Sequence, residues 1–235
     1  MPIKKSKVKF VINKKIDIRN HFIGINSYKT KLHSFHQKNK NERYEKLLKL
    51  SRPKAEKAIS EEIAWFYSIK NKKEREKSLK QIQTHWNKVE KKYFKKLEEV
   101  HEASFDYPQI KGVLSTAGRF GYYYGKNPWF ATSFKLGPKR ASYIAMHELM
   151  HFIFHKHFWN FCEKRGLSWK QIWDIKESMT ILLNIEFSSI LFEEKDCGYP
   201  EHKKIRTFIK KTWPKRDNFK DFLTKTCDFT KKIVK

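Results

Sequence analysis

The chain has 235 residues, of which 39% are hydrophobic and 15% aromatic, enough apolar material for a sizeable core and so not the composition of a disordered chain. Its formal net charge of +27 rests on 43 Lys and only 9 Arg, with 28 basic against 13 acidic residues up to residue 110 and 24 against 12 after it. So even a spread reads first as composition and solubility, and second as a footprint for nucleic acid.

In chain order, Lys7 to Asp17 reads as a strand, with Val8, Phe10 and Ile12 alternating with smaller or polar residues. Arg19 to Asn41 reads as irregular. From Glu42 to about Glu102 the pattern is helical. Ser51-Arg52-Pro53 marks one helix start. A second helix is expected from about Lys72, with Leu79, Ile82, Trp86, Val89, Tyr93, Phe94 and Leu97 on one face. Between Tyr107 and Leu136 Gly, Pro and aromatics rise and charge falls. Ile110 to Thr116, Arg119 to Tyr124 and Trp129 to Phe134 read as three short strands of an antiparallel meander. A helix follows over about Pro138 to Trp159. Ser168 can cap another from Trp169 to about Phe192, and two short basic helices begin at Pro200 and after Pro214. The expected fold is α+β and mostly helical, with a small antiparallel sheet ahead of a long helix. The expected organisation is a strand-plus-helical region over 1–109 and a second region over 110–235, within one compact unit.

Three cysteines, Cys162, Cys197 and Cys227, are odd in number, widely spaced and without a Cys-x-x-Cys pair. They read as free thiols in a reducing compartment, with no disulfide framework and no zinc ribbon. No stretch approaches the roughly 20 apolar residues of a membrane span. Met1 to Asp17 has no signal-like apolar region. The expectation is a soluble, cytoplasmic protein without a membrane partner.

The residues that point to chemistry are His147-Glu148-Leu149-Met150-His151. On a helix, residues four apart share a face about one turn apart. Two imidazoles there can ligate one ion, with the glutamate beside them as a base. Tyr143, Ile144, Met146, Phe152, Ile153 and Phe154 surround them with apolar side chains. Buried histidines and a buried glutamate need partners, and a metal supplies them.

This H-E-x-x-H pattern resembles the zincin metallopeptidases, over about Ile110 to Phe192. The resemblance implies a zinc ion, an active-site helix behind a small sheet, and an edge strand that binds the backbone of a peptide or protein substrate. A catalytic zinc needs a third protein ligand and an open position. Glu177 lies 26 residues after His151 on the next long helix, as in the gluzincin, thermolysin-like branch. Asp174 and Asn184 share its side of that helix and could orient a ligand histidine. The thermolysin pattern has an aspartate four residues after the ligand glutamate; here that position is Ile181. His157 has the metzincin spacing, but Phe154 stands where that group has the glycine that turns the chain. His155 is too far along the helix from His147 to share one ion. Tyr199, His202 and Arg206, or the tyrosines at 122 to 124, are candidate oxyanion donors. The functional expectation is therefore zinc-dependent peptide hydrolysis with Glu148 as general base and His147, His151 and Glu177 as ligands. Two alternatives remain: a SprT-like, nucleic-acid-associated metalloprotease, and a non-catalytic basic scaffold.

Overall fold

The computed structural model describes residues 6–30 and 41–234. Residues 31–40 of the expected irregular stretch and the first five residues lie outside the described residues. The chain is mostly helical with a small mixed sheet. It divides into two compact units that interleave along the sequence: one comprises Lys7–Lys88 and Tyr107–Ala145, the other chiefly Val89–Asp106 and Met146–Lys235.

The first unit contains β1 (Val8–Val11), α1 (Lys14–Lys29), α2 (Glu42–Leu48), α3 (Arg52–Glu62), α4 (Ala64–Tyr67), α5 (Lys72–Asn87), β2 (Ile110–Ser115), β3 (Tyr122–Tyr123) and β4 (Trp129–Ser133). The first strand is shorter than expected. Asn13 ends it by capping α1, its side chain accepting from the Ile16 amide at 3.0 Å, and Asp17 favours the first helical turn. Helix therefore replaces strand from Lys14, and replaces the expected irregular chain from Arg19 to Lys29. Ile25 from α1 packs with Tyr44 and Leu47 of α2 and with Ala55 and Ile59 of α3.

The strand order is β1-β2-β4-β3. The sheet is mixed and not the expected antiparallel meander. β1 pairs parallel to β2, with Val8 opposite Ile110, and β2 pairs parallel to β4, with Gly112 opposite Phe130. Only the two-residue β3 is antiparallel, with Tyr122 opposite Phe130. The reason lies in α1. Asn20 donates from Nδ2 to Ser115 Oγ at 2.8 Å and to the Arg119 carbonyl at 2.9 Å, and accepts from the Gly121 amide at 2.8 Å. The chain after β2 is thus held on a helix instead of closing a tight hairpin. Fully buried Asp17 completes the anchor: Ser115 Oγ (2.6 Å) and the Thr116 amide (3.0 Å) bond Oδ1, while Thr116 Oγ1 (2.9 Å) and the Tyr67 hydroxyl (3.0 Å) bond Oδ2.

Phe10 meets Trp86 and Phe130 edge to face, at ring separations of 6.4 and 5.9 Å. Gly112 sits between Phe10 and Phe130 in the register. A Cβ there would lie 2.6 Å from Phe10 Cδ1 and 3.1 Å from Phe130 Cζ.

The second unit holds α6 (Glu90–His101), most of the long helix α7 (Gly137–His157), α8 (Trp159–Lys164), α9 (Trp169–Met179), α10 (Leu182–Glu186), α11 (Lys203–Thr212) and α12 (Phe219–Ile233). Two expected helices are interrupted. The one from Lys72 breaks at Lys88 and Val89, between α5 and α6. The one from Trp169 ends at Met179, where the Thr180 hydroxyl reaches the Glu177 carbonyl at 2.7 Å. Such back-bonding competes with the helical ladder. Its start is as expected, with Ser168 and Gln171 forming a reciprocal capping box. Tyr93 of α6 donates to the Met146 carbonyl at 2.6 Å. Cys162 and Cys227 are buried free thiols with sulfurs 3.6 Å apart, and Cys197 is also free. Among the described residues no helix is long and apolar enough to cross a membrane.

Gly112→Ala is expected to destabilise the protein by about 1–3 kcal/mol, because the added methyl overpacks a close-packed aromatic contact. Urea denaturation checks this, and an unchanged midpoint would show that the two rings move aside freely.

Candidate metal centre

Helix α7 runs through the H-E-x-x-H segment without interruption, so His147 and His151 share one face. Their Nε2 atoms lie 3.1 Å apart. Glu177 comes from α9, and its Oε2 is 4.0 Å from His147 Nε2 and 3.6 Å from His151 Nε2. A point equidistant from these three atoms can lie as close as about 2.1 Å to each, close enough for all three to bind one metal ion. Among the described residues, this is the group of histidine and acidic side chains that could hold a metal ion. The donor set fits that role: two imidazole nitrogens and one carboxylate oxygen lie within 4.0 Å of one another. His151, Glu148 and Glu177 are buried, whereas the His147 side chain keeps 20% of its surface exposed, so the site opens to solvent on the His147 side.

The group that orients His147 is Asp196, not Asp174 or Asn184. Asp196 Oδ1 lies 3.3 Å from His147 Nδ1. An Nδ1–H directed at this carboxylate leaves the Nε2 lone pair facing the ligand triangle. Asp196 is itself fixed from several sides. Its Oδ2 meets Thr180 Oγ1 at 2.6 Å and the Arg206 guanidinium at 2.8 Å. Arg206 also donates to the Asp196 carbonyl at 2.7 Å. Asn184 brackets the Asp196 backbone, donating to its carbonyl at 2.8 Å and accepting from its amide at 2.9 Å. Gly198 leaves room for the arginine: its φ is +64°, and a Cβ there would come within 2.6 Å of the guanidinium.

Asp174 belongs to a different pair. Its Oδ1 is 3.1 Å from His202 Nε2, and Lys170 Nζ bonds both of its oxygens. The Tyr199 ring stands edge-on to His202 at 5.6 Å. Arg206 is committed to Asp196 and is not available as an oxyanion donor. His157 bonds the Ser104 carbonyl at 2.7 Å, and His155 stacks on Trp159 at 4.7 Å, so neither imidazole completes the triangle. Tyr122 and Tyr123 form β3 in the other unit.

Two residues of the site escape a reading by sequence. Asp196 follows Phe192-Glu193-Glu194-Lys195 and looks like part of a charged surface loop. The positive φ of Phe192 and Glu193, which turns this loop, has no glycine to announce it. Lys176 is the other. Its side chain is fully buried, Nζ donates to Glu177 Oε1 at 2.7 Å, and it rests 3.6 Å over the Trp173 ring. Neighbouring residues on a helix point in different directions, so periodicity hides such a contact.

The charges shape the site. Burial pushes the Glu148 carboxyl up to about 7; the charge of His147 opposes this, Glu177 adds to it and Lys176 opposes it. Burial alone would also raise Glu177, but Lys176 and His147 outweigh it and hold the carboxyl below its ordinary value. Burial would lower His147, yet its hydrogen bond and attraction to Asp196 keep it raised. Burial holds His151 well below the usual imidazole range, with Lys176 and His147 acting in the same direction.

Asp196→Asn is expected to weaken metal binding about 10–100-fold, as loss of an orienting carboxylate does. Asp174→Asn should change it far less. Chelator competition measures both, and equal effects would mean that Asp196 does not orient His147. A second expectation concerns Glu148. Its pKa is raised from 4.5 in the unfolded chain to about 7 in the fold. The protonated form is therefore favoured by folding: its contribution is complete below pH 4.5 and is lost as pH rises to about 7. Without metal, Glu148→Gln should gain on wild type by up to about 3 kcal/mol across that window. Parallel denaturation curves at several pH values check this, and a constant difference would show that the fold does not raise the pKa of this carboxyl.

No protein family, curated protein or solved structure matches this chain.

Proposed function

We propose that the chain is a zinc-dependent metallopeptidase that hydrolyses peptide bonds in a peptide or protein substrate. One observation carries this reading: three ligand atoms from His147, His151 and Glu177 converge with bond-length geometry, while Glu148, on the same helix as the two histidines, stays outside the ligand set. A structural site has no need of that extra buried carboxyl. A hydrolytic site needs it as a base.

When bound, zinc supplies Lewis-acid polarisation of the scissile carbonyl and a lowered pKa for the attacking water. His147 and His151 offer Nε2, and Glu177 offers Oε2. Asp196 keeps His147 in the required tautomer. Glu148 takes the proton of the attacking water and returns it to the leaving amine. Tyr199 is the proposed oxyanion donor; His202, buried and paired with Asp174 through Nε2, is committed in the way Arg206 is. The fold at the level of the zincins, with the gluzincin ligand arrangement, belongs to the same proposal.

The net charge of +27 favours one variant of this reading, a SprT-like protease acting beside nucleic acid. Binding to DNA that weakens steeply with salt would support the variant. Bound metal without hydrolysis would favour a basic scaffold instead.

The test is elemental analysis combined with a peptide-hydrolysis screen. Wild type and His157→Ala should carry about one zinc per chain, and Glu177→Ala should lose it. Glu148→Gln should keep the metal and lose about 10²–10⁴-fold in rate. A wild-type protein that takes up no metal would sink the peptidase reading. Loss of zinc only in His157→Ala would replace Glu177 as third ligand.

A further inference from the structure

Among the described residues, Lys176 is the one lysine that the fold buries. Lysines normally keep the ammonium in water while the stem packs, so a fully buried one calls for a local reason. The reason is next to it. Nζ donates to Glu177 Oε1 at 2.7 Å and lies 3.6 Å over the face of Trp173, which precedes it by three residues on the same side of α9. The other oxygen of Glu177, Oε2, faces His147 and His151. The two carboxylate oxygens therefore have different partners, and the side chain is held at both ends.

We propose that Lys176 is a positioning residue that confines Glu177 to binding a metal ion through Oε2 alone. The inference rests on the metal-site reading above and adds to it how the third ligand is presented. Bringing Oε1 onto the ion would separate a buried, hydrogen-bonded pair, which is costly in a low-dielectric site. With Oε1 occupied, the protein supplies three ligand atoms and leaves a position open. A carboxylate free to chelate with both oxygens would fill that position, as it commonly does around larger, oxygen-seeking cations. Lys176 thereby favours a small four-coordinate ion.

Cobalt(II) in place of the native ion provides the readout, because its visible absorption reports coordination number. Wild type should bind about one Co²⁺ per chain with the intense bands of a four-coordinate ion. Lys176→Met should still bind Co²⁺ but lose most of that intensity, as Glu177 becomes a two-oxygen ligand. An unchanged spectrum in Lys176→Met would overturn the proposal. A lysine with a purely structural role would alter stability and leave the bands alone. Should Lys176→Met fail to fold, X-ray absorption or a crystal structure of Co²⁺-loaded wild type decides the matter. One Glu177 oxygen on the ion, with Nζ on the other, supports the proposal; both oxygens on the ion overturns it. A wild type that takes up no Co²⁺ removes the metal-site reading itself, an outcome distinct from uptake with an unchanged spectrum.

Discussion

The arrangement of the second unit depends on the cost of burying the Asp196 carboxylate. An ionised carboxylate leaves water only if hydrogen bonds and opposite charge replace its hydration. Asp196 has both, from Thr180, Arg206 and His147, and its backbone is bracketed by Asn184. These partners come from α7, from the turn between α9 and α10, from α10 itself and from α11. One buried charge thus ties together the segments that present the ligand atoms. The attraction of His147 and Arg206 holds its carboxyl far below the usual range against the opposing effect of burial. Held in this way, it is a fixed acceptor for His147.

Around it the second unit concentrates further charge. Glu177 is balanced by Lys176, Asp174 by Lys170 and His202, and Glu148 is relieved by holding its proton up to about pH 7. Buried ion pairs contribute little net stability compared with an apolar core of the same shape. Their value here is geometric. Each carboxylate that faces or supports the ligand triangle has a fixed partner on its other side, so little reorganisation is required of it. Glu148 is the exception, a carboxyl that burial pushes toward its protonated form.

The first unit uses the same device for architecture instead of chemistry. Asp17 and Asn20 on α1 satisfy polar groups at the end of β2 and in the loop after it. That anchor leads the chain through a crossover and sets β2 and β4 parallel. The Phe10, Gly112 and Phe130 register then closes the sheet with edge-to-face rings across a position that has no room for a side chain.

Much was legible in the sequence because it depends on local spacing. The four-residue interval puts His147 and His151 on one face of any helix that forms there. Ser168 marks the start of α9 as its cap, and that helix carries Glu177 back to within reach of those histidines. The helical and strand textures either side of Tyr107 also follow from short-range pattern, and so does the mostly helical class. Strand direction did not, because β2 and β4 are buried and apolar along most of their length and carry no alternation that distinguishes parallel from antiparallel neighbours. The identity of the group behind His147 did not either. Asp174 sits at helical spacing from Glu177 and looked suitable, but Asp196 reaches the imidazole through a loop turned by left-handed Phe192 and Glu193, and no periodicity encodes such a path. Lys176 escaped for the opposite reason: it is adjacent to Glu177, and only burial of both side chains makes an ammonium fold back onto its neighbour's carboxylate. Local hydrogen bonding and side-chain period are written in the sequence. Which buried charges become partners is decided only when tertiary packing removes the water between them.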